Sequence, residues 1–372
     1  MEFDKDNAES PFLNFVSEEF YKRGSDLRRL MSDKANAPDL VAGWGLRSAA
    51  RKHLIRDLNE LNEELLGDRC AFKYGKGWSA KGVYLLERVG KGRYLDQKSL
   101  QVFTLDGLRK AQAQVLKYYK HENPYWLIEE FHRGALSNAE IPYDYKIYTF
   151  QGIIGFIISV DRNASPPRIA IYDGNLKPFI VDEDYLCPSP NVQQGNHILP
   201  KHILEHLWWA RELSLKTDSP FVRIDMYDTD KGPAFGEYTF SPGDMHKRMF
   251  RLKRPFVSAM DQLFLNSEQR LASGNANEKP ADLQNYSLQT LLWDMSLAQV
   301  QALPMVSDRL YRRYADVAAN NGANGYDRMA KRYFYYKKNA KSELESKIFE
   351  ELRKAWRGLH ETYHSVAPDE IR

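Results

Sequence analysis

FVRIDMYDTDKGPAFGEYTFSPG, Phe221 to Gly243, is the stretch on which the reading of this chain turns. Apolar and polar residues alternate from Val222 to Tyr227, a turn follows at Asp230, Lys231, Gly232 and Pro233, and a second run delivers Glu237. The pattern predicts a β-hairpin. Period-two alternation puts Arg223, Asp225 and Tyr227 on one face of the first strand, and Glu237 and Thr239 on one face of the second. Two carboxylates facing the same way on adjacent strands repel unless a cation lies between them. Mg²⁺, a hard ion with oxygen ligands that commonly arrives with nucleotide phosphates, meets that need. Arg223 could meet it too, in an ordinary ion pair, and the hairpin by itself leaves both readings open.

Composition narrows the classes. The chain has 372 residues, 43% hydrophobic and 28% charged, which is enough for a buried core and two or three subdomains and is globular in character. A net charge of +3 carries no general polyanion signal, which argues against nucleic acid as a partner. Cys70 and Cys187 are the only cysteines, too few for a disulfide framework. The acidic start MEFDKDNAES does not read as a secretory signal, and no apolar run reaches membrane-spanning length, so the expected location is the cytoplasm.

Upstream of the hairpin, Leu13, Val16 and Phe20 at helical spacing predict short amphipathic helices before Lys34. Leu54, Leu58, Leu61 and Leu65 predict a further helix from Arg47 to Leu66. Cys70 to Glu87, CAFKYGKGWSAKGVYLLE, reads as two strands around a glycine-rich loop. Its backbone could close over phosphates, with Lys73, Lys76 and Lys81 adding charge, although an ordinary surface turn has the same composition. No GK[ST] leads into a helix, so it is not a Walker A loop. Thr104 predicts the cap of a helix ending near Lys120. YWLIEEFH, Tyr125 to His132, is a strand with Glu129 and Glu130 near its end, which suits ribose hydroxyls or plain solvent.

Tyr143 to Asp161 predicts a second hairpin with Asp144, Lys146 and Tyr148 on one face, followed by Arg162 and Arg168. His202, Glu205 and His206, and again His360, Glu361 and His364, match short zinc-peptidase patterns that arise easily by chance on helix surfaces. Beyond the linker-like Ser273 to Pro280 the chain reads as helices, the clearest carrying Ile348, Leu352, Trp356, Leu359 and Tyr363 on one stripe. YDRMAKRYFYYKKNAK, Tyr326 to Lys341, mixes cations with aromatics, either as a binding surface or as an amphipathic helix with its rings inward.

Taken in order, Lys73 before a glycine-rich hairpin, IEE at a strand end, DYK on a hairpin, Asp161 and Arg162, VRID and GEYTFSPG resemble the ATP-grasp superfamily. The wording DYKIYTFQG, VRIDMY and FGEYTFSPG is most similar to its teichuronopeptide-biosynthesis branch, the TupA-like ATP-grasp proteins. The resemblance spans roughly Arg69 to Gly243. It implies an α+β fold in which two subdomains clamp ATP, a small one with a flap over 67–131 and a large one with the metal site over 132–272, while apolar spacing outside it predicts an N-terminal helical segment to residue 66 and a helical extension over 281–372.

By the same resemblance Lys73 would hold phosphates under a flap containing Gly75, Gly77, Ser79 and Lys81. Glu129 and Glu130 would lie at the adenine and ribose end, and Lys146 would contact phosphate. Asp225 and Glu237 would ligate Mg²⁺, with Thr239 standing where many members have Asn. Arg162, Arg168 and Arg223 would steady the transferred phosphoryl group. The implied activity is an ATP- and Mg²⁺-dependent carboxylate-amine ligase acting on an acidic or sugar-containing acceptor such as an envelope polysaccharide. A kinase acting on a sugar hydroxyl, or a non-catalytic polyanion-binding protein, are the alternatives.

Overall fold

A computed structural model describes residues 10–22, 24–78, 80–136, 139–246, 249–276, 278–321 and 323–365. Two six-stranded sheets dominate it. The first is antiparallel, with Arg51–Ile55 at one edge, then Trp126–Glu129, Arg69–Tyr74, Val83–Gly90, Arg93–Asp96 and Gln101–Thr104. The helix Leu105–Tyr119 packs on it as its cap predicts, with Thr104 Oγ1 accepting from Gly107 N and Lys120 turning left-handed at the C-terminus.

The second sheet runs Gln193–Gln194, Arg168–Asp173, Ile153–Asp161, Tyr143–Phe150, Val222–Thr229 and Gly232–Thr239, antiparallel except for the first pair. Helix Ile203–Leu215 lies against one face and Arg254–Ala272 against the other, each over its own apolar cluster.

The helix expected between Arg47 and Leu66 is not formed. Arg51–Ile55 pairs with Trp126–Glu129 as a strand, a 3₁₀ turn follows at Leu58–Glu60, and the short helix Glu63–Leu66 ends at Gly67. Asp57 accepts from Asn59 N and Asn62 from Leu65 N. Each side chain offers the backbone a local partner and breaks the leucine stripe into two capped turns. The segment 1–66 is therefore not purely helical.

Residues beyond Pro280 form the expected helices, and they are built into the large sheet's core. Gln289 Oε1 accepts from Ile154 N (2.8 Å), while its Nε2 donates to Ile154 O (2.9 Å) and Gly174 O (2.8 Å). Ile348, Leu352, Trp356 and Leu359 of Glu343–Ser365 join the same apolar cluster as Ile224 and Met226 of the hairpin. In Ala323–Lys338 the rings divide. Tyr326 and Tyr333 are buried, whereas Phe334 and Tyr335 are exposed beneath Lys338 and Arg332. Among the described residues no helix is long and apolar enough to cross a membrane.

Asp228 sits at this junction. Alternation turns it toward the same side as Ile224 and Met226, where Tyr311 Oη donates to its Oδ2 (3.3 Å) and Lys201 N reaches the same oxygen (3.3 Å). Its Oδ1 is buried without a hydrogen-bond partner. Burial pushes its carboxyl up to about 7, against the pull of those bonds. A raised folded-state value means that the native protein holds this proton from pH 4 to 7 while the unfolded chain has released it. Stability from this group therefore falls as pH rises across that window and is level above it. Asp228→Asn should flatten that slope and gain on the order of 2 kcal/mol at pH 8, read from urea unfolding across pH. An unchanged slope refutes the assignment.

Candidate active-site cleft

The hairpin's other face looks into a cleft of about 2020 Å³ between the two sheets. Asp225 lies in register with Glu237 on one side and Lys146 on the other, so three charged side chains form one cross-strand row. Simple alternation does not put Glu237 there. With Thr229 opposite Gly232, a regular ladder would bring Glu237 opposite Ile224 and face it into the core. A bulge between Phe235 and Glu237 absorbs Gly236 and restores the register with Asp225. A Cβ on Gly236 would meet Asp225 O and the Tyr227 ring at 3.0 Å, so glycine fits the bulge with the least crowding.

Arg223 occupies the centre. Its Nε donates to Asp225 Oδ1 (2.6 Å) and its Nη2 to Asp225 Oδ2 (2.8 Å), a two-pronged pair. The same Nη2 reaches Thr239 Oγ1 (3.1 Å) and Glu237 Oε1 (3.4 Å), and Nη1 reaches Asp244 Oδ2 (3.3 Å). Lys146 Nζ bonds Asp225 Oδ2 and lies 2.9 Å from Asp144 Oδ2, which Arg162 Nη2 also approaches at 3.1 Å. From the facing sheet Lys73 Nζ pairs with Glu129 Oε2 at 2.6 Å. Glu130 lies between His132 (3.6 Å) and Lys231 (3.4 Å).

Electrostatics separate the two hairpin carboxylates. Burial pushes Asp225 up to about 6, with Asp144 and Glu237 adding to it and Arg223 and Lys146 opposing. Burial would raise Glu237 as well, but Lys34, Arg223, Lys146 and Lys73 outweigh it and hold the carboxyl down at about 2. Both groups are ionised at neutral pH.

The loop between the first sheet's strands is compact. Gly75 lies flat against Tyr125, whose ring a Cβ would meet at 1.9 Å, and Gly75 N donates to Tyr125 O (2.9 Å). Gly77 N bonds Tyr74 O (3.3 Å), and Lys81 Nζ stands 3.7 Å over the Tyr118 ring. Two of the N–H groups expected to face a ligand are thus used inside the small sheet.

Lys73, Gly75, Gly77, Lys81, Glu129, Glu130, Lys146, Arg162, Arg223, Asp225, Glu237 and Thr239 all line this cleft. Ser79 lies outside the described residues. Arg168 is a correction. It pairs in register with Asp161, on the sheet face opposite Asp144 and Lys146, and lines a separate small hollow with Tyr143 and Asn163. One step of alternation gives its neighbour Ile169, not Arg168, to the cleft.

Two participants had no sequence signal of their own. Asp244 lies beyond the hairpin, and Lys34 lies at the end of the N-terminal helical segment. Each reaches the cluster by tertiary folding alone. Several side chains of the zinc-like patterns have partners within the fold. His206 Nδ1 bonds His202 O (2.9 Å), Glu205 accepts from Gln301 (2.9 Å), and His360 Nδ1 bonds Ala323 O (2.8 Å).

The donor set suits a hard ion that arrives with a ligand. Asp225 Oδ1 accepts one bond, Glu237 is 36% exposed with Oε2 facing Lys34 at 3.7 Å, and the buried Asp144 Oδ1 has no hydrogen-bond partner. A carboxylate oxygen has two lone pairs. Mg²⁺ at nucleotide sites takes one or two protein carboxylates with phosphate oxygens and water. No group of three or more His, Cys, Asp or Glu that could hold a metal occurs among the described residues, so these side chains do not form an all-protein cage.

Residues 89–254 match the TupA-like ATPgrasp family. Among solved structures the chain is similar to D-alanine–D-alanine ligase from Bacillus anthracis complexed with ATP, at 14% identity over 68% of each chain with a TM-score of 0.37. It is similar to the ATP-grasp ligase PsnB complexed with minimal precursor, Mg and ADP, at 11% identity over 68% of this chain and 65% of that one, with a TM-score of 0.33. L-amino acid ligase from Bacillus licheniformis matches at 15% identity over 62% of this chain and 49% of that one, with a TM-score of 0.37. None of the curated proteins compared with the chain matches it.

Removing the central guanidinium should expose how much the cluster depends on it. Arg223→Met leaves Asp225, Glu237 and Asp244 facing one another and should cost about 3 kcal/mol at pH 7 by urea unfolding. The loss should shrink at pH 5, where Asp225 can take up a proton. A loss that does not change with pH contradicts the electrostatic account.

Proposed function

We propose, for a chain with the ATP-grasp fold whose residues 89–254 match the TupA-like ATP-grasp family, that it is an ATP- and Mg²⁺-dependent carboxylate-amine ligase. The acceptor on this reading is an envelope or capsular polysaccharide or its precursor. One observation carries the enzymatic part. The row Glu237, Asp225, Lys146, flanked by Arg223 and Arg162, faces Lys73 across the cleft between the two sheets. Acids able to share a divalent ion and cations able to neutralise a phosphate chain therefore share one cleft.

The chemistry follows from charge. A carboxylate oxygen of the acceptor attacks the γ-phosphorus, the bond to the bridging oxygen breaks, and ADP leaves with that electron pair. An amine then attacks the acyl phosphate's carbonyl carbon, loses a proton to solvent, and inorganic phosphate departs. Such transfers need positioning and charge neutralisation more than a protein nucleophile. Lys73 and Lys146 supply charge to the phosphate chain. Arg223 holds Asp225 in place and, with Arg162, sets positive potential where charge moves during transfer. Asp225 and Glu237 would hold Mg²⁺, which would supply charge neutralisation to the phosphates when bound.

Glu237→Gln keeps side-chain volume while removing one ligand charge, so it should lower Mg²⁺-dependent ATP turnover by about 100-fold or more with its melting temperature retained. Wild-type turnover in that variant refutes the site. Lys73→Ala should weaken ATP binding by about tenfold in calorimetry, and an unchanged affinity removes it from the phosphate path. Product analysis decides the reaction. Free phosphate with an amide product supports the ligase, whereas phosphate retained on the acceptor identifies a kinase.

A further inference from the structure

The segment joining the helices Asp26–Ser32 and Ala37–Gly43 precedes both sheets, yet it reaches the centre of the cleft. Asp33 fixes its course. Its Oδ1 accepts from Ala35 N (2.8 Å) and Asn36 N (3.1 Å), and its Oδ2 accepts from Tyr125 Oη (3.3 Å). Arg51 Nη1 secures Ala35 O at 2.6 Å. Tyr125 is also the residue against which Gly75 packs, so the turn that presents Lys34 shares a support with the base of the glycine-rich loop.

Lys34 Nζ donates to Gly77 O in that loop and lies 3.7 Å from Glu237 Oε2, with its side chain 21% exposed. The cluster's other cations have acidic partners besides Glu237. Lys73 has Glu129, Lys146 has Asp144 and Asp225, Arg162 has Asp144, and Arg223 has Asp225 and Asp244. Among the described residues Lys34 pairs with Glu237 alone. A divalent ion on Glu237 would repel that ammonium, and a carbonyl alone does not neutralise it. A phosphate chain entering beneath the loop would then be the nearest anion.

We propose that Lys34 is a phosphate-binding residue of this cleft, held on Glu237 in the empty protein and released to the nucleotide's phosphates when a divalent ion claims that carboxylate. The inference rests on the ATP reading above. It adds a ligand contact from a segment outside both sheets, and it makes the contact conditional on metal.

Calorimetric titration of the full chain with a non-hydrolysable ATP analogue, with Mg²⁺ and again with chelator, tests it on wild type, Lys34→Met and Lys34→Arg. Lys34→Met should lose about tenfold in affinity with Mg²⁺ and less than about threefold without it, because without metal the lysine stays on Glu237. Lys34→Arg should return to within about threefold of wild type in both conditions. Lys34→Gln replaces Lys34→Met if melting curves show the latter unfolded. Equal losses with and without Mg²⁺ mark a structural role and overturn the proposal, as does an unchanged affinity. A wild-type protein that binds no analogue in either condition overturns the ATP reading itself, and the Lys34 inference falls with it.

Discussion

Arg223 is the constraint on which this site depends. Three carboxylates and a hydroxyl from two strands and a following turn converge on one buried guanidinium. A guanidinium can do this because it is planar, always charged and able to donate in several directions at once. Without it, Asp225, Glu237 and Asp244 would be uncompensated charges in a low-dielectric setting. With it, Asp225 is oriented while one edge of Glu237 stays open to the cleft.

The hairpin serves two compartments through one alternation. Arg223 and Asp225 face the cleft, while Ile224 and Met226 face helix Ile203–Leu215 and the C-terminal helices. The extension is therefore part of the core that holds the site's floor, and Gln289 and Tyr311 bind it there by hydrogen bonds. Asp228 marks the boundary, an acid placed by the same period on the apolar side. Mutations far along the extension would reach the cleft through this shared packing.

The N-terminal segment plays a comparable part on the opposite side. Asp33 and Arg51 tie it to the small sheet, and Lys34 extends from it between the glycine-rich loop and Glu237. Loop base, Tyr125, Asp33, Lys34 and Glu237 form one continuous chain of contacts. A change at Glu237 thus has a physical route to the glycine-rich loop.

What the sequence determined by itself was whatever rests on local period and local chemistry. The alternation in VRIDMY, the capping Thr104, the glycine loop and the stripe from Ile348 to Leu359 each carry their conformation in adjacent residues, and the ordered motifs carried the fold. Where two local signals competed, the reading failed. The leucine stripe from Leu54 to Leu65 overrode the capping side chains of Asp57 and Asn62, and strand pairing with Trp126–Glu129 settled the matter. Only tertiary structure decided that Gly236 forms a bulge returning Glu237 to Asp225's row, that Arg168 falls on the far face, and that Asp244 and Lys34 join the cluster. Strand register and through-space charge pairing are fixed by partners distant along the chain, and no window of sequence contains both partners.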